Sequence, residues 1–143
     1  MKIMDAARYV IYLSYSTKYG SLTPLKLQKI LYLAQGWSYV WDDTELFEDE
    51  FEAWRYGPVN LEVYSEFKRY GRAELPEFEG RSDVRMTQSE QETLEAVWDA
   101  YASWDAYALV ELTHHQTPWL EHYEDGYGHI TNMDIKNFFQ STF

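Results

Sequence analysis

Helix-start signals recur along this sequence and constrain its fold more than any other feature. The signals are three pairs of residues: Thr23 with Pro24, Thr87 with Glu90, and Thr131 with Asp134. A threonine hydroxyl accepts the free amides of a first turn, proline suits the first helical position, and an acid three residues later completes a capping box. Apolar residues follow each signal at helical spacing. The sequence therefore predicts a mainly α fold of five or six helices.

One segment departs from helical spacing and alternates with a period of two. Its two sets of residues are Phe47, Phe51 and Ala53 on one side and Glu48, Glu50 and Glu52 on the other. This alternation is typical of a half-buried strand. Residues 46–54 therefore predict a small two- or three-stranded β element in which Phe51 is buried and the three glutamates are exposed. Val84 and Met86 are the expected partner strand.

The length and composition favour a single compact domain over residues 1–143. A chain of 143 residues has the size of one domain, and its 6 Trp, 13 Tyr and 7 Phe supply ample apolar surface for a core. The absence of cysteine excludes disulfides and thiolate metal sites and favours a cytoplasmic location. No run of 18 apolar residues occurs, so membrane insertion is not expected.

The charge is strongly acidic and unevenly distributed. The net charge is −12, and seven acids lie within residues 42–52 without a basic residue among them. Nucleic acid binding depends largely on basic residues at phosphates, so a nucleic acid partner is not expected. An acidic surface suits a basic protein partner instead.

No residue pattern predicts catalysis, a cofactor or a metal site. The four histidines are His114, His115, His122 and His129. No pair has the spacing of three or four residues that places two ligands on one helical face, and no H-E-x-x-H motif is present. Phosphate-binding and nucleophile motifs are also missing from the sequence. We therefore expect no catalytic, cofactor-binding or metal-binding residues, with a small hydrolase or metal enzyme as the alternative.

Three motifs in fixed order resemble a known family. They are the run Leu22–Tyr32 (LTPLKLQKILY), the run Glu52–Val59 (EAWRYGPV) with Tyr64, and the run Leu112–His114 (LTH) with Pro118 and Trp119. The combination resembles the Panacea domain of SocA-like antitoxins, which also occurs in phage-associated GepA-like proteins. The resemblance extends from about Asp5 to Phe139.

The resemblance implies a mostly helical antitoxin of a toxin–antitoxin system, without catalytic activity. Its expected partner is a cognate protein toxin, which it neutralises by direct stoichiometric binding. The acidic surface favours a basic, translation-targeting toxin. Two alternatives remain at this point. The chain could be a phage-encoded acidic inhibitor of a host enzyme, or an adaptor that presents a toxin to a cytosolic protease.

The resemblance also separates scaffold positions from candidate contacts. Expected scaffold residues are Thr23, Pro24, Trp54, Gly57, Pro58, His114, Pro118 and Trp119. In this interpretation Gly57 and Pro58 form a chain-reversing turn, while Trp54 and Trp119 belong to the core. Candidate partner-binding residues are Lys26, Lys29, Tyr32 and Tyr56, together with Glu48, Glu50 and Glu52. Lys26, Lys29 and Tyr32 follow the helix start at Thr23 and Pro24, and they are either exposed contacts or members of a buried network.

Overall fold

The computed structural model describes residues 1–18, 21–123 and 128–143, and within them the chain is mainly helical. The helices are α1 (Ile3–Ser16), α2 (Pro24–Asp42), α3 (Leu61–Phe67), α4 (Gln88–Tyr101), α5 (Ala106–His114), α6 (Thr117–Tyr123) and α7 (Asn132–Thr142). The strands are β1 (Phe51–Trp54), β2 (Gly57–Val59) and β3 (His129–Ile130). Short 3-10 turns occupy Lys68–Tyr70 and Arg81–Asp83. The mainly α class with a minor β element is confirmed.

The predicted helix starts are confirmed in atomic detail. The Thr23 side chain accepts a hydrogen bond from the amide of Lys26 at the start of α2. Complete capping boxes begin α4, through Thr87 and Glu90, and α7, through Thr131 and Asp134. The described residues contain one helix more than the five or six expected. The additional helix is α6, where Pro118 occupies the first turn and needs no amide partner.

Helix α2 is the centre of the fold. It packs against α1, α3, α4, α5, α7 and β2. Because neighbours surround it, even polar positions of this helix are buried. Near its C-terminal half, Gly36 lies against the buried ring of Phe139, and a Cβ built at Gly36 would stand 2.4 Å from that ring. The absence of a side chain at Gly36 thus lets α7 approach α2 closely.

The small sheet has the order β2-β1-β3 and both pairings are antiparallel. Phe51 is buried, as predicted. The expected partner strand at Val84 and Met86 is wrong, because these residues follow a 3-10 turn and belong to no strand. The actual partners, β2 and β3, are only three and two residues long. They are too short to show the alternation of apolar and polar residues that indicates a strand.

Candidate protein-binding groove

Polar side chains of α2 form a buried polar belt that holds neighbouring segments by their backbones. The belt consists of Lys26, Gln28, Lys29, Tyr32, Gln35 and Ser38. Gln28 accepts from the amide of Asn60 at 2.9 Å and donates to its carbonyl oxygen at 3.1 Å. Gln35 accepts from the amide of Leu46 and donates to the carbonyl of Phe47, both at 2.7 Å. A single helix therefore fixes the chain before β1 and after β2.

Three residues expected to contact a partner belong to this belt, which corrects that prediction. The Lys26 ammonium donates to Ala102 O at 2.6 Å, the Lys29 ammonium donates to Pro58 O at 3.0 Å, and the Tyr32 hydroxyl donates to Gln116 Oε1 at 2.8 Å. Lys29 and Tyr32 have no solvent exposure, and Lys26 is 4% exposed. They are members of a buried network, the second of the two possibilities that the sequence left open.

Burial without a carboxylate partner lowers the pKa of Lys29 to about 7. In the unfolded chain the pKa of Lys29 is 10.5. Between about pH 7 and pH 10.5 the unfolded chain therefore holds a proton on Lys29 that the folded chain has released. Because the unfolded state binds more protons, the free energy of unfolding rises with pH across this range. We expect the free energy of unfolding to increase by about 2 kcal/mol between about pH 7 and pH 9. Urea denaturation across this range measures it.

Lys29→Met is the matched variant for this pH dependence. It should remove most of the increase, whatever its effect on stability at a single pH. Lys26→Met should leave most of the increase in place, because burial lowers the pKa of Lys26 against an opposing charge from Asp105. An increase that survives in Lys29→Met would contradict the assignment.

The chain reverses direction between β1 and β2 at Arg55 and Tyr56. Trp54 is paired with Gly57, and Ala53 with Pro58, so Gly57 and Pro58 lie on the returning strand and do not form the turn as expected. Gly57 has φ +102°, a conformation that glycine adopts readily. The turn exposes Tyr56, whose side chain is 46% accessible.

Two side chains from the corner between α5 and α6 hold this turn in place through hydrogen bonds to backbone carbonyl oxygens of the turn. His114 Nε2 lies 3.0 Å from Arg55 O, and since a carbonyl only accepts, this nitrogen carries the hydrogen. Trp119 Nε1 donates to Trp54 O at 2.7 Å. The two rings stack on each other with centroids 4.0 Å apart. His114 and Trp119, named here the turn clamp, thus have the packing and hydrogen-bonding roles of scaffold residues.

Beside the clamped turn lies an open, largely apolar groove, the hairpin groove. Its walls come from the first turn of α2, the hairpin turn, and α3 with the residues that follow it; they include Leu25, Trp54, Tyr56, Val63, Tyr64 and Phe67. Its volume is about 470 Å³, within the roughly 300–1,000 Å³ typical of binding clefts. Trp54 is half-buried and packs against Tyr64, with ring centroids 4.8 Å apart. Trp54 therefore lines the groove and is only half-buried, which corrects the expectation that it belongs to the core.

The sequence identified only part of this groove. Tyr56 was expected as a contact, whereas the candidate set omitted Arg55, Tyr64 and Lys68, which line the groove. A signal for two of them was present, because Tyr64 and Lys68 are four residues apart on consecutive helical turns and so lie on one face. In the structure the Lys68 ammonium lies 6.0 Å from the Tyr64 ring centroid.

The acidic residues proposed as contacts differ in accessibility. Glu48 is exposed, as predicted. Glu50 and Glu52 are only partly exposed, which corrects the expectation for both. Glu50 accepts from the amide of Asn132 at 2.6 Å, and Glu52 accepts from Trp54 Nε1 at 2.9 Å. Both side chains therefore have structural partners, Glu50 at the start of α7 and Glu52 within β1.

One group of possible metal ligands comes together, although the sequence predicted none. Single ligand atoms of Glu121, His122 and Asp134 lie within 4.8 Å of one another. Asp134 Oδ2 already accepts from the amide of Thr131 in the capping box and lies 3.0 Å from His122 Nε2. The arrangement is therefore explained by capping of α7.

The chain matches the family model described as "Antitoxin SocA-like, Panacea domain" over residues 27–120. It belongs to this antitoxin family, as its motifs suggested. The matched residues include the turn clamp and the hairpin groove, apart from the groove residues that precede position 27. Comparisons with curated proteins and with solved structures gave no match. None of the helices in the described ranges has the length and apolar character needed to cross a membrane.

Proposed function

We propose that this chain is a cytoplasmic antitoxin that neutralises a cognate protein toxin by direct, stoichiometric binding, without catalysis. The observation that carries the proposal is the hairpin groove, an apolar cleft with exposed aromatic side chains on the clamped turn and on α3. Tyr56 and Tyr64 are 46% and 41% exposed. Aromatic side chains at the centre of a contact are typical anchors of protein interfaces.

The chemistry of the groove supports binding over catalysis. Among the described residues, its lining contains no histidine and no carboxylate, the side chains that serve most often in general acid–base catalysis. Its polar floor residue, Gln28, has both ends of its amide engaged by Asn60. The groove walls therefore offer a partner an apolar surface of defined shape.

Co-expression with the neighbouring gene product, the candidate toxin, tests this function. The expected result is that growth is restored and that the two proteins co-purify at a fixed ratio. Toxin abundance is measured in the same cells, because an adaptor for a protease would lower it whereas a stoichiometric inhibitor leaves it unchanged or higher. Absence of both rescue and co-purification would reject the proposal.

Two surfaces should affect the binding kinetics in different ways. Glu45 and Glu48 are exposed within the acidic segment 42–52, and replacing both with lysine should slow association several-fold at low salt, since exposed charges steer encounter. Tyr56→Ala and Tyr64→Ala should instead accelerate dissociation by about tenfold or more, as loss of an aromatic anchor does. Surface plasmon resonance at two salt concentrations measures both rates.

Trp41→Ala is the control for the two tyrosine variants. Trp41 is 48% exposed, like Tyr56, but lies at the far end of α2 from the groove. Its replacement should leave the dissociation rate unchanged. If Trp41→Ala accelerates dissociation as much as Tyr64→Ala, the aromatic surface at that end of α2 is the contact.

A further inference from the structure

Two cations stand at the rim of the hairpin groove. The Arg55 guanidinium lies 5.4 Å from the Tyr56 ring centroid, and the Lys68 ammonium lies 6.0 Å from the Tyr64 ring centroid. Both side chains line the groove and both residues are exposed. Among the residues that the structure describes, neither cation has a carboxylate within 4.0 Å. What distinguishes these two cations from the other basic residues of this acidic chain is their position at the rim of an apolar groove.

The position of these cations favours a carboxylate in the partner. Each cation rests over an aromatic ring, which limits its access to water on one side and holds it near the apolar wall. A carboxylate that docks beside such a cation forms a charge-assisted hydrogen bond, and arginine can bind it with two parallel bonds. The apolar walls would then receive the neighbouring side chains of the same segment.

The sheet beside the groove does not offer a free edge to a partner strand. Strand β2 is at the edge of the order β2-β1-β3, but its middle residue, Pro58, has no amide hydrogen and its carbonyl accepts from Lys29. Strand addition relies on free backbone donors and acceptors. A partner segment must therefore be recognised through its side chains.

A small polar metabolite or a nucleic acid suits the groove less well. In the described part of the chain, every buried side-chain nitrogen and oxygen has a hydrogen-bond partner. The floor of the groove therefore has no unpaired polar group that would bind a metabolite. A nucleic acid would bring many phosphates to a chain of net charge −12, with only two cations at this rim. The exposed rings of Tyr56 and Tyr64 extend the apolar surface beyond the cleft, as in protein interfaces.

We propose that the hairpin groove binds a segment of the partner protein that combines apolar side chains with a carboxylate, the carboxylate lying between Arg55 and Lys68. This inference rests on the proposed function and specifies the chemistry of the toxin segment. It assigns two roles to opposite charges on the antitoxin. The acidic segment 42–52 steers a basic partner toward the chain, and the cationic rim selects an acidic position within the docked segment.

Selection from a random-peptide display library on the full chain tests the groove without the toxin. The expected peptides carry two or more apolar side chains and at least one Asp or Glu. Their binding should weaken about tenfold or more in Arg55→Glu and in Lys68→Glu, and also when the peptide acid is changed to its amide. Tyr64→Ala should weaken binding of these peptides as well.

Arg85→Glu is the matched control, since Arg85 is exposed and outside the groove. It makes the same change in net charge and should leave peptide binding unchanged. Thermal unfolding of each variant establishes that it is folded, and Arg55→Gln and Lys68→Gln provide milder substitutions. Selected peptides without acids, equal binding by the charge-reversed variants, or no peptide that depends on the groove would each overturn the inference.

The toxin complex separates this inference from the proposed function. If the toxin co-purifies with the wild-type chain and equally well with the Arg55→Glu, Lys68→Glu double variant, the function stands and the rim inference is rejected. If the toxin neither binds nor is neutralised while peptides still require the two cations, the groove chemistry stands and the antitoxin proposal is rejected.

Discussion

Trp119→Ala should lower the free energy of unfolding by about 3–5 kcal/mol, the usual cost of deleting a large buried aromatic side chain. Trp119 is 8% exposed and stacks between His114 and Tyr123, with centroid distances of 4.0 and 4.5 Å. The substitution also removes the donor to Trp54 O. Since domains are stable by only about 5–15 kcal/mol, the variant should lose much of its folded population. Urea denaturation followed by circular dichroism measures the change.

Two further variants separate packing at Trp119 from hydrogen bonding and from surface effects. Trp119→Phe keeps a ring for stacking and loses the N–H, so we expect a cost of about 1–3 kcal/mol from the unpaired carbonyl. Trp104→Ala removes a tryptophan that is 38% exposed and should cost less than Trp119→Ala. If Trp119→Ala leaves stability unchanged but abolishes toxin binding, Trp119 is a contact residue and its scaffold role is wrong.

Gly57→Ala should also be strongly destabilising, by about 2–6 kcal/mol. Two costs combine: a positive φ of +102° strains an L-residue, roughly 1–3 kcal/mol, and overpacking adds about 1–3 kcal/mol. An ideal Cβ at Gly57 would lie 2.6 Å from Lys29 Cε and 2.7 Å from Thr113 Oγ1. The same denaturation experiment measures the loss.

Gly71→Ala is the control that isolates the backbone contribution. Gly71 also has a positive φ, +55°, but a Cβ there would meet no atom within 4 Å. Gly57→Ala should therefore cost more than Gly71→Ala, and Thr113→Ala combined with Gly57→Ala should recover part of the difference. Equal losses at the two glycines would show that steric contact with Lys29 and Thr113 is unimportant.

Local signals predicted the helical framework well. Capping pairs such as Thr87 with Glu90 define helix starts through interactions within four residues, so the sequence contains them in full. Helix α6 was missed because none of the recognised capping pairs begins it, and Pro118 in its first turn is tolerated there without by itself indicating a helix. Strands β2 and β3 were missed because three and two residues are too few for a periodic pattern.

The candidate site was less predictable because it depends on tertiary contacts. The sequence shows that Lys29 and Tyr32 are polar, but their complete burial follows from helices and a strand that surround α2. The groove likewise requires Leu25, Trp54 and Tyr64 to meet from three separate elements. A residue pattern within one element cannot show that residues from three elements come together, although the motifs that build the groove were recognised together in the sequence.

The turn clamp and the buried polar belt have a consequence for how binding specificity can change. The residues that fix the hairpin, such as Lys29 and Trp119, are buried, whereas the groove residues proposed to face a partner, such as Tyr56 and Lys68, are exposed. Substitutions at exposed positions usually alter stability by no more than about 0.5 kcal/mol. The rim can therefore accumulate substitutions that alter partner choice while the interior stays constant, so that one scaffold can be adapted to different partners with little risk of unfolding.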